Sequence, residues 1–344
     1  MFSVARLDAS QGVRREKLQK LWEYVKECSE TGRAVDIGEA AFTTTLNLLW
    51  ATLFSVEFAQ FNSDTSQEMK GVVRGLMECL GSQNLVDYFP MLKWADPQGI
   101  LKKMKIYFEK LLAIFDGIID EKLKSNGGKD DVVEARLARG NGKRKHHAAA
   151  GIETTSGTVE WAMTELMRQP DKMSRVRDEI KSIIGEKGKV EESDISRLPY
   201  LQAVVKETLR LHPAAPFLVP HKAVSDGEIH GYMVPKDSLI LVHVWASGRD
   251  PCMWVESDAF MPERFLDNKI DYRGKDFELI PFGAGRRICP GLPLAHRMVH
   301  LMLATLIHNF GWEVEIKSKE IDMNEKFGLT LQKDIPLRAV PTKL

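Results

Sequence analysis

The chain has 344 residues, with 48 Lys and Arg balanced by 48 Asp and Glu, so its overall charge gives no reason to expect a polyanionic partner. Hydrophobic residues make up 44% and charged residues 28%, which is the balance of a folded globular protein and not of a disordered one. Cys28, Cys79, Cys252 and Cys289 are widely separated, with no CxxC spacing, which argues against a disulfide framework or a structural zinc site.

From the N-terminus, Arg6, Asp8, Arg14, Arg15, Glu16 and Lys17 interrupt any apolar leader core. Leu46 to Phe58 is the most apolar stretch nearby. Asn47 and Glu57 break it, and it falls short of the roughly 20 residues a membrane span needs. It reads as a buried helix, and no transmembrane segment is expected. Apolar residues at helical spacing predict helices over 12–30, 37–62, 66–81 and 99–124, with a loop around Trp94 between Pro90 and Pro97. Ser125 to Lys129 reads as a linker. Arg136, Arg139, Lys143, Arg144, Lys145, His146 and His147 then cluster around Gly140 and Gly142. This reads as a solvated loop, because short basic matches to nucleic-acid or import motifs arise easily by chance. No nucleic-acid partner is expected.

Helical character returns from Ala148 to Arg168, then over 171–185 and 194–211, ending at His212-Pro213. The texture next changes to short strands, Phe217 to Val224, Glu228 to Met233 and Ser238 to Val244, divided by Gly and Pro. A last long helix is predicted over 292–309, and closing strands over Trp312 to Ile316 and Leu329 to Leu337. The fold class is therefore mainly α with a minor β-sheet. A single domain is expected over 1–344, with a helical part at 1–130, an anomalous basic linker at 131–147 and the remainder at 148–344.

Three motifs carry chemistry. In Phe282-Gly-Ala-Gly-Arg-Arg-Ile-Cys-Pro-Gly291, Gly283, Gly285 and Gly291 permit tight turns and close approach to a flat partner. Arg286 and Arg287 favour a thiolate or bind carboxylates, and the helix start beyond Gly291 offers free N–H groups and a positive dipole end. In Lys206-Glu-Thr-Leu-Arg210, Glu207 and Arg210 share one helix face. In Ala150-Gly-Ile-Glu-Thr-Thr155, small residues adjoin a carboxylate and hydroxyls suited to proton delivery.

The set Phe282, Gly285, Arg287, Cys289 and Gly291 resembles the haem-binding signature of the cytochrome P450 family. That resemblance implies haem b with Cys289 as its iron ligand, Phe282 shielding the sulfur, and Arg287 pairing with a haem propionate, with His221 as a second propionate contact. It implies that Glu207 and Arg210 join Arg264, from Pro262-Glu-Arg-Phe265, in a buried structural cluster. It implies that Thr154 and Glu153 serve proton delivery on the oxygen side. Ala150 and Gly151, with Ala214, Ala215, Phe217, Leu218 and Val219 after the Glu207 helix, are its substrate-pocket candidates. Arg6 to Arg15 and Thr155 to Met163 resemble plant enzymes of the geraniol 8-hydroxylase type, which act on terpenoids and similar small apolar molecules. By resemblance, electrons come from NADPH through cytochrome P450 reductase, at the cytoplasmic face of the endoplasmic reticulum.

Against the family pattern, the chain reads as an incomplete fold. The membrane anchor, first sheet and first helices expected of the family have no counterpart before Met1. The hydrophilic run Gly-Asn-Gly-Lys-Arg-Lys-His-His before Ala148 also replaces an apolar helix that would roof the pocket, so residues 134–147 read as the scar of a deletion or frame slip. The rival readings are a non-catalytic remnant that binds haem poorly or not at all and, more distantly, a basic interaction module using 136–147.

Overall fold

The structure, a computed structural model, describes residues 4–54, 60–61, 63–124, 142–186, 188–314 and 320–344. Helix α1 (Val4–Ala9) leads into α2 (Gln11–Thr31), which buries Leu18, Leu21, Val25 and Cys28 on one face. A two-residue strand β1 (Val35–Asp36) precedes α3 (Ile37–Phe54). Helix α3 is buried through most of its length, and Thr44 and Thr45 satisfy their hydroxyls by donating to the carbonyls of Ala40 and Ala41 at 2.8 Å. That internal bonding lets hydroxyls enter an apolar core. Helix α4 (Asp64–Gly81) starts at Ser63, whose Oγ accepts the Ser66 N–H at 3.2 Å. A short helix α5 (Leu85–Tyr88), a 3-10 turn (Pro90–Leu92) and the long α6 (Ile100–Lys124) follow.

Helix α7 (Gly142–Arg168) is the centre of the molecule. It packs on α3 and on two helices that come later, α9 (Pro199–Leu211) and α11 (Leu292–Asn309). Buried Ile152, Val159, Met163 and Leu166 of α7 meet the core there. Between α7 and α9 lie α8 (Pro170–Ile184) and a 3-10 turn (Glu192–Arg197). After α9 come β2 (His221–Lys222), β3 (Gly227–Ile229), β4 (Tyr232–Val234), β5 (Leu239–Ile240) and the short α10 (Val244–Ser247). Beyond α11 lie β6 (Phe310–Glu313), β7 (Glu325–Lys326), β8 (Gln332–Lys333) and β9 (Arg338–Lys343). Strands β1, β9 and β6 form an antiparallel sheet with Val35 opposite Ala339 and Trp312 opposite Pro341. The pairs β2–β5, β3–β4 and β7–β8 are separate antiparallel ladders. Among the described residues no helix is long and apolar enough to cross a membrane.

The mainly helical class with minor sheets is as the sequence predicts, but several boundaries differ. The helix expected over 37–62 is seen over Ile37–Phe54, and residues 60–61 are not helical, while 55–59 lie outside the described residues. The helix expected over 194–211 is split, because Pro199 occupies the first turn of α9, where a missing N–H costs nothing. Only His221 and Lys222 of Phe217 to Val224 form strand, and Val244 opens a helix. The closing strand is Arg338–Lys343, whereas Leu329 to Leu337 holds only the two-residue β8. Helix α7 begins at Gly142, so residues 142–147 of the expected basic linker are helical. The rest of that segment, and the linker Ser125 to Lys129, lie outside the described residues.

Candidate active site

The loop from Phe282 to Gly291 turns the chain into α11. The Cys289 N–H donates to the Phe282 carbonyl at 2.9 Å, and the Ile288 N–H donates to Gly285 at 3.2 Å. Gly283 and Gly285 adopt φ of +72° and +64°, where a Cβ would be strained. Gly291 lies in the turn closed by the Leu292 N–H and the Cys289 carbonyl at 3.3 Å, but with an ordinary φ of −81° that a residue with a side chain could adopt. A Cβ there would lie 3.6 Å from the Cys289 sulfur. Cys289 is a half-buried free cysteine. Burial pushes its thiol up, while the nearby backbone N–H groups of Gly291 and Leu292 favour the thiolate. Phe282 is half-buried against Tyr272, ring centroids 5.5 Å apart. Arg286 and Arg287 are exposed and form no ion pair among the described residues.

Leu218, at a φ of +52°, brings the segment after α9 to this loop. Its Cδ1 lies 3.9 Å from where a Cβ on Gly283 would stand. The segment is fixed by backbone bonds from Leu331 to the Ala214 carbonyl at 2.9 Å, from Leu218 to Ala215 at 3.0 Å, and from Val242 to Phe217 at 3.3 Å. Phe217 stacks on His243 at 4.4 Å. Val219 and His221 are exposed, with His221 opposite Ile240 in the β2–β5 ladder.

On α7, the Thr154 hydroxyl donates to the Ala150 carbonyl one turn back, at 2.9 Å. Glu153 is buried, and its Oε2 has no hydrogen-bond partner among the described residues. Burial pushes the Glu153 carboxyl up to about 7, with Arg74 and Lys70 of α4 pulling it down and Glu160 and Glu78 pushing it up. Ala150 is exposed, and a Cβ on Gly151 would come within 3.3 Å of Leu49. The small residue at 151 therefore lets α3 approach α7.

Glu207, Arg210 and Arg264 come together. Arg210 Nε and Nη2 donate to the two Glu207 oxygens at 2.8 Å each, and Arg264 Nε donates to Oε1 at 3.1 Å. The Met261 N–H adds a bond to Oε1 at 2.7 Å. Arg210 also donates to the carbonyls of Gly248, Ser257 and Ala259, and Arg264 to that of Val255. Glu207 and Arg210 are fully buried. Glu207 is shared by the two guanidinium groups and every donor of the buried Arg210 has an acceptor, which makes burial tolerable.

One buried cluster escapes sequence reading. His212 stacks on Trp161 at 4.0 Å and bonds Glu165 at 2.8 Å and Glu325 at 3.0 Å. Trp245 Nε1 also donates to Glu325, at 2.9 Å. In the sequence His212 marks only a helix end before proline; its partners lie 47 and 113 residues away. A cavity of about 150 Å³ lies elsewhere, between α2, α11 and residues 188–192, lined by Leu18, Trp22, Val190, Leu301 and Thr305. None of the predicted pocket residues borders it.

The family model for cytochrome P450 matches residues 6–337. The chain belongs to the cytochrome P450 family. As a P450 it is by family a monooxygenase. It is 53% identical to cytochrome P450 76T24 of Catharanthus roseus, across the whole chain and 73% of that protein. It is 49% identical to geraniol 8-hydroxylase of Swertia mussotii, with the whole chain and 73% of the relative covered, and 46% identical to ferruginol synthase of Salvia miltiorrhiza, over 99% of the chain and 73% of the relative. The match to the Catharanthus protein runs over 363 positions, more than the 344 residues present. That relative therefore carries residues inside the matched region with no counterpart in this P450. The donor set fits the family's haem iron: a single half-buried sulfur at a helix start, two backbone N–H groups directed at it, and neighbouring exposed arginines.

Proposed function

We propose that the chain is a haem-thiolate monooxygenase that hydroxylates a small apolar substrate of the terpenoid class. The observation that carries this reading is the Cys289 loop, with its free sulfur half-buried at the start of α11 and the backbone N–H groups of Gly291 and Leu292 favouring the thiolate. The terpenoid class draws on the relatives, named geraniol 8-hydroxylase and ferruginol synthase. When bound, haem b supplies oxygen activation, with the Cys289 thiolate donating electron density to its iron. Gly291 and Leu292 tune that ligand through their N–H groups, Phe282 shields it, and Arg287 and His221 meet the propionates. Ala214, Ala215, Phe217, Leu218, Val219 and Ala150 border the substrate. Thr154 orders a proton donor near the substrate side of α7. Glu153, with its carboxyl near neutrality, exchanges protons at working pH. NADPH-cytochrome P450 reductase supplies electrons, at the endoplasmic-reticulum face where the full-length family resides.

The second reading is a non-catalytic remnant. What favours it is the exposure of Val219, Leu239 and Phe327 near the candidate site. The carbon-monoxide difference spectrum of reduced, haem-reconstituted protein separates the two. A thiolate-type Soret band that Cys289→Ala abolishes supports the enzyme. The shorter-wavelength band, or no haem uptake, supports the remnant.

A further inference from the structure

The segment running into the cysteine loop contains a side-chain pair with no part in the chemistry above. Residues 270–276 form a compact turn, in which the Asp271 N–H donates to Asp276 Oδ2 at 2.8 Å and the Tyr272 N–H to Asp271 Oδ1 at 2.7 Å. Gly274, at a φ of +78°, presses this turn onto the cysteine loop. A Cβ there would fall 2.9 Å from Ile288 Cδ1 and 3.2 Å from both Ala284 Cα and the Gly283 carbonyl oxygen. From the turn, Tyr272 enters the core with 3% of its surface exposed. Its ring lies 5.5 Å from that of Phe282, tilted by 54°. Its hydroxyl is 2.6 Å from Nδ1 of His296, in the second turn of α11. The His296 carbonyl in turn lies 2.6 Å from Nδ1 of His300, with the two rings 4.4 Å apart.

The direction of the Tyr272–His296 bond follows from the surroundings. Burial, with Asp271 adding and Arg273 opposing, pushes the Tyr272 phenol up. Burial, with Arg273 and Arg297 adding and Asp271 opposing, pushes the His296 imidazole down to about 4. At neutral pH a neutral phenol therefore donates to a neutral imidazole. The cysteine loop needs such an anchor. It is half-exposed, and Arg286 and Arg287 form no ion pair among the described residues. Phe282 meets Tyr272 through its ring, while its carbonyl holds the Cys289 N–H. Any displacement of Phe282 is passed to the backbone of Cys289.

We propose that Tyr272 and His296 are a positioning pair, which clamps Phe282 between the 270–276 turn and α11 and so fixes the Cys289 sulfur. The consequence for iron ligation rests on the haem-thiolate reading above; the positioning itself does not.

The experiment measures the alkylation rate of each cysteine in the full chain by mass spectrometry, with and without haem. Tyr272→Phe and His296→Ala each raise the Cys289 rate roughly fivefold through more frequent loop opening, while Cys28 and Cys79 keep their rates. His296→Asn, which restores an acceptor, returns the rate toward wild type. Tyr272→Phe combined with His296→Ala is less labile than the product of the two single effects, because removing both partners leaves no orphaned group. In the haem-loaded protein the single variants also shift the reduction potential. An unchanged Cys289 rate in both single variants, or an equal acceleration of all cysteines, overturns the proposal. Failure of haem to protect Cys289 in the wild type overturns the ligand reading instead, and the positioning pair is then judged on the haem-free rates alone.

Discussion

Glu153 carries a carboxyl that burial raises to about 7 from an ordinary 4.5. The folded state therefore holds a proton that the unfolded chain releases near 4.5. This contribution to stability is complete below about pH 4.5 and is lost as pH rises through 7, a change of about 3 kcal/mol. Urea unfolding at pH 5 and pH 8 checks it: Glu153→Gln should be stabilised relative to wild type by about that amount on moving to pH 8. An equal difference at both values would remove the assignment. Glu207 poses the opposite case, since its charge is fully matched. Glu207→Ala leaves two guanidinium groups without their carboxylate and should cost about 3–5 kcal/mol, seen as a large fall in the thermal midpoint. Sequence shows Glu207 and Arg210 as a same-face pair, but such a pair on a surface is worth little. What makes it costly to break is burial and the arrival of Arg264, which sits 57 residues away and was reached only through the family resemblance.

At the scale of elements, His212 ties the end of α9 to α7 and β7. Its ring lies flat on Trp161 and bridges Glu165 and Glu325. His212→Ala should loosen these elements together, because the buried Glu165 and the half-buried Glu325 lose a shared partner, at a cost of about 3 kcal/mol. Near-UV circular dichroism reports the Trp161 environment and urea unfolding the stability; an unaltered Trp161 signal would refute the tie. The clamp also illustrates why elements are unevenly legible. Helices α2, α4, α6, α8 and α11 announce themselves through apolar residues at helical spacing, since one face of each is buried. Strands β1, β7 and β8 have two residues each, too few for any alternation to show. Their existence depends on partners elsewhere, such as Ala339 and Arg338 opposite Val35 and Asp36. The Cys289 loop was legible because its glycines and helix start are contiguous. The Tyr272–His296 bond was not, because neither residue type at either position departs from ordinary core sequence.

At the scale of the whole molecule, the distribution of apolar surface is uneven. Val219, Leu239, Leu241 and Phe327 are 69%, 67%, 51% and 55% exposed. Phe217 links them: its ring lies 6.0 Å from that of Phe327, and its carbonyl accepts the Val242 N–H beside Leu241. Singly exposed apolar residues are ordinary, whereas a contiguous patch drives association. A separate cluster, Tyr88, Phe89, Met91 and Trp94, is 66%, 56%, 78% and 87% exposed. Sedimentation velocity across a concentration series should show reversible self-association of the haem-free chain. Val219→Ser, Leu239→Lys and Phe327→Ser together should return it toward monomer. Because Leu218 touches the cysteine loop beside this patch, haem loading should weaken the association as well. Persistence of self-association in the triple variant, with its loss in Met91→Ser and Trp94→Ser, would move the sticky surface to the turn between α5 and α6 and detach it from the candidate site.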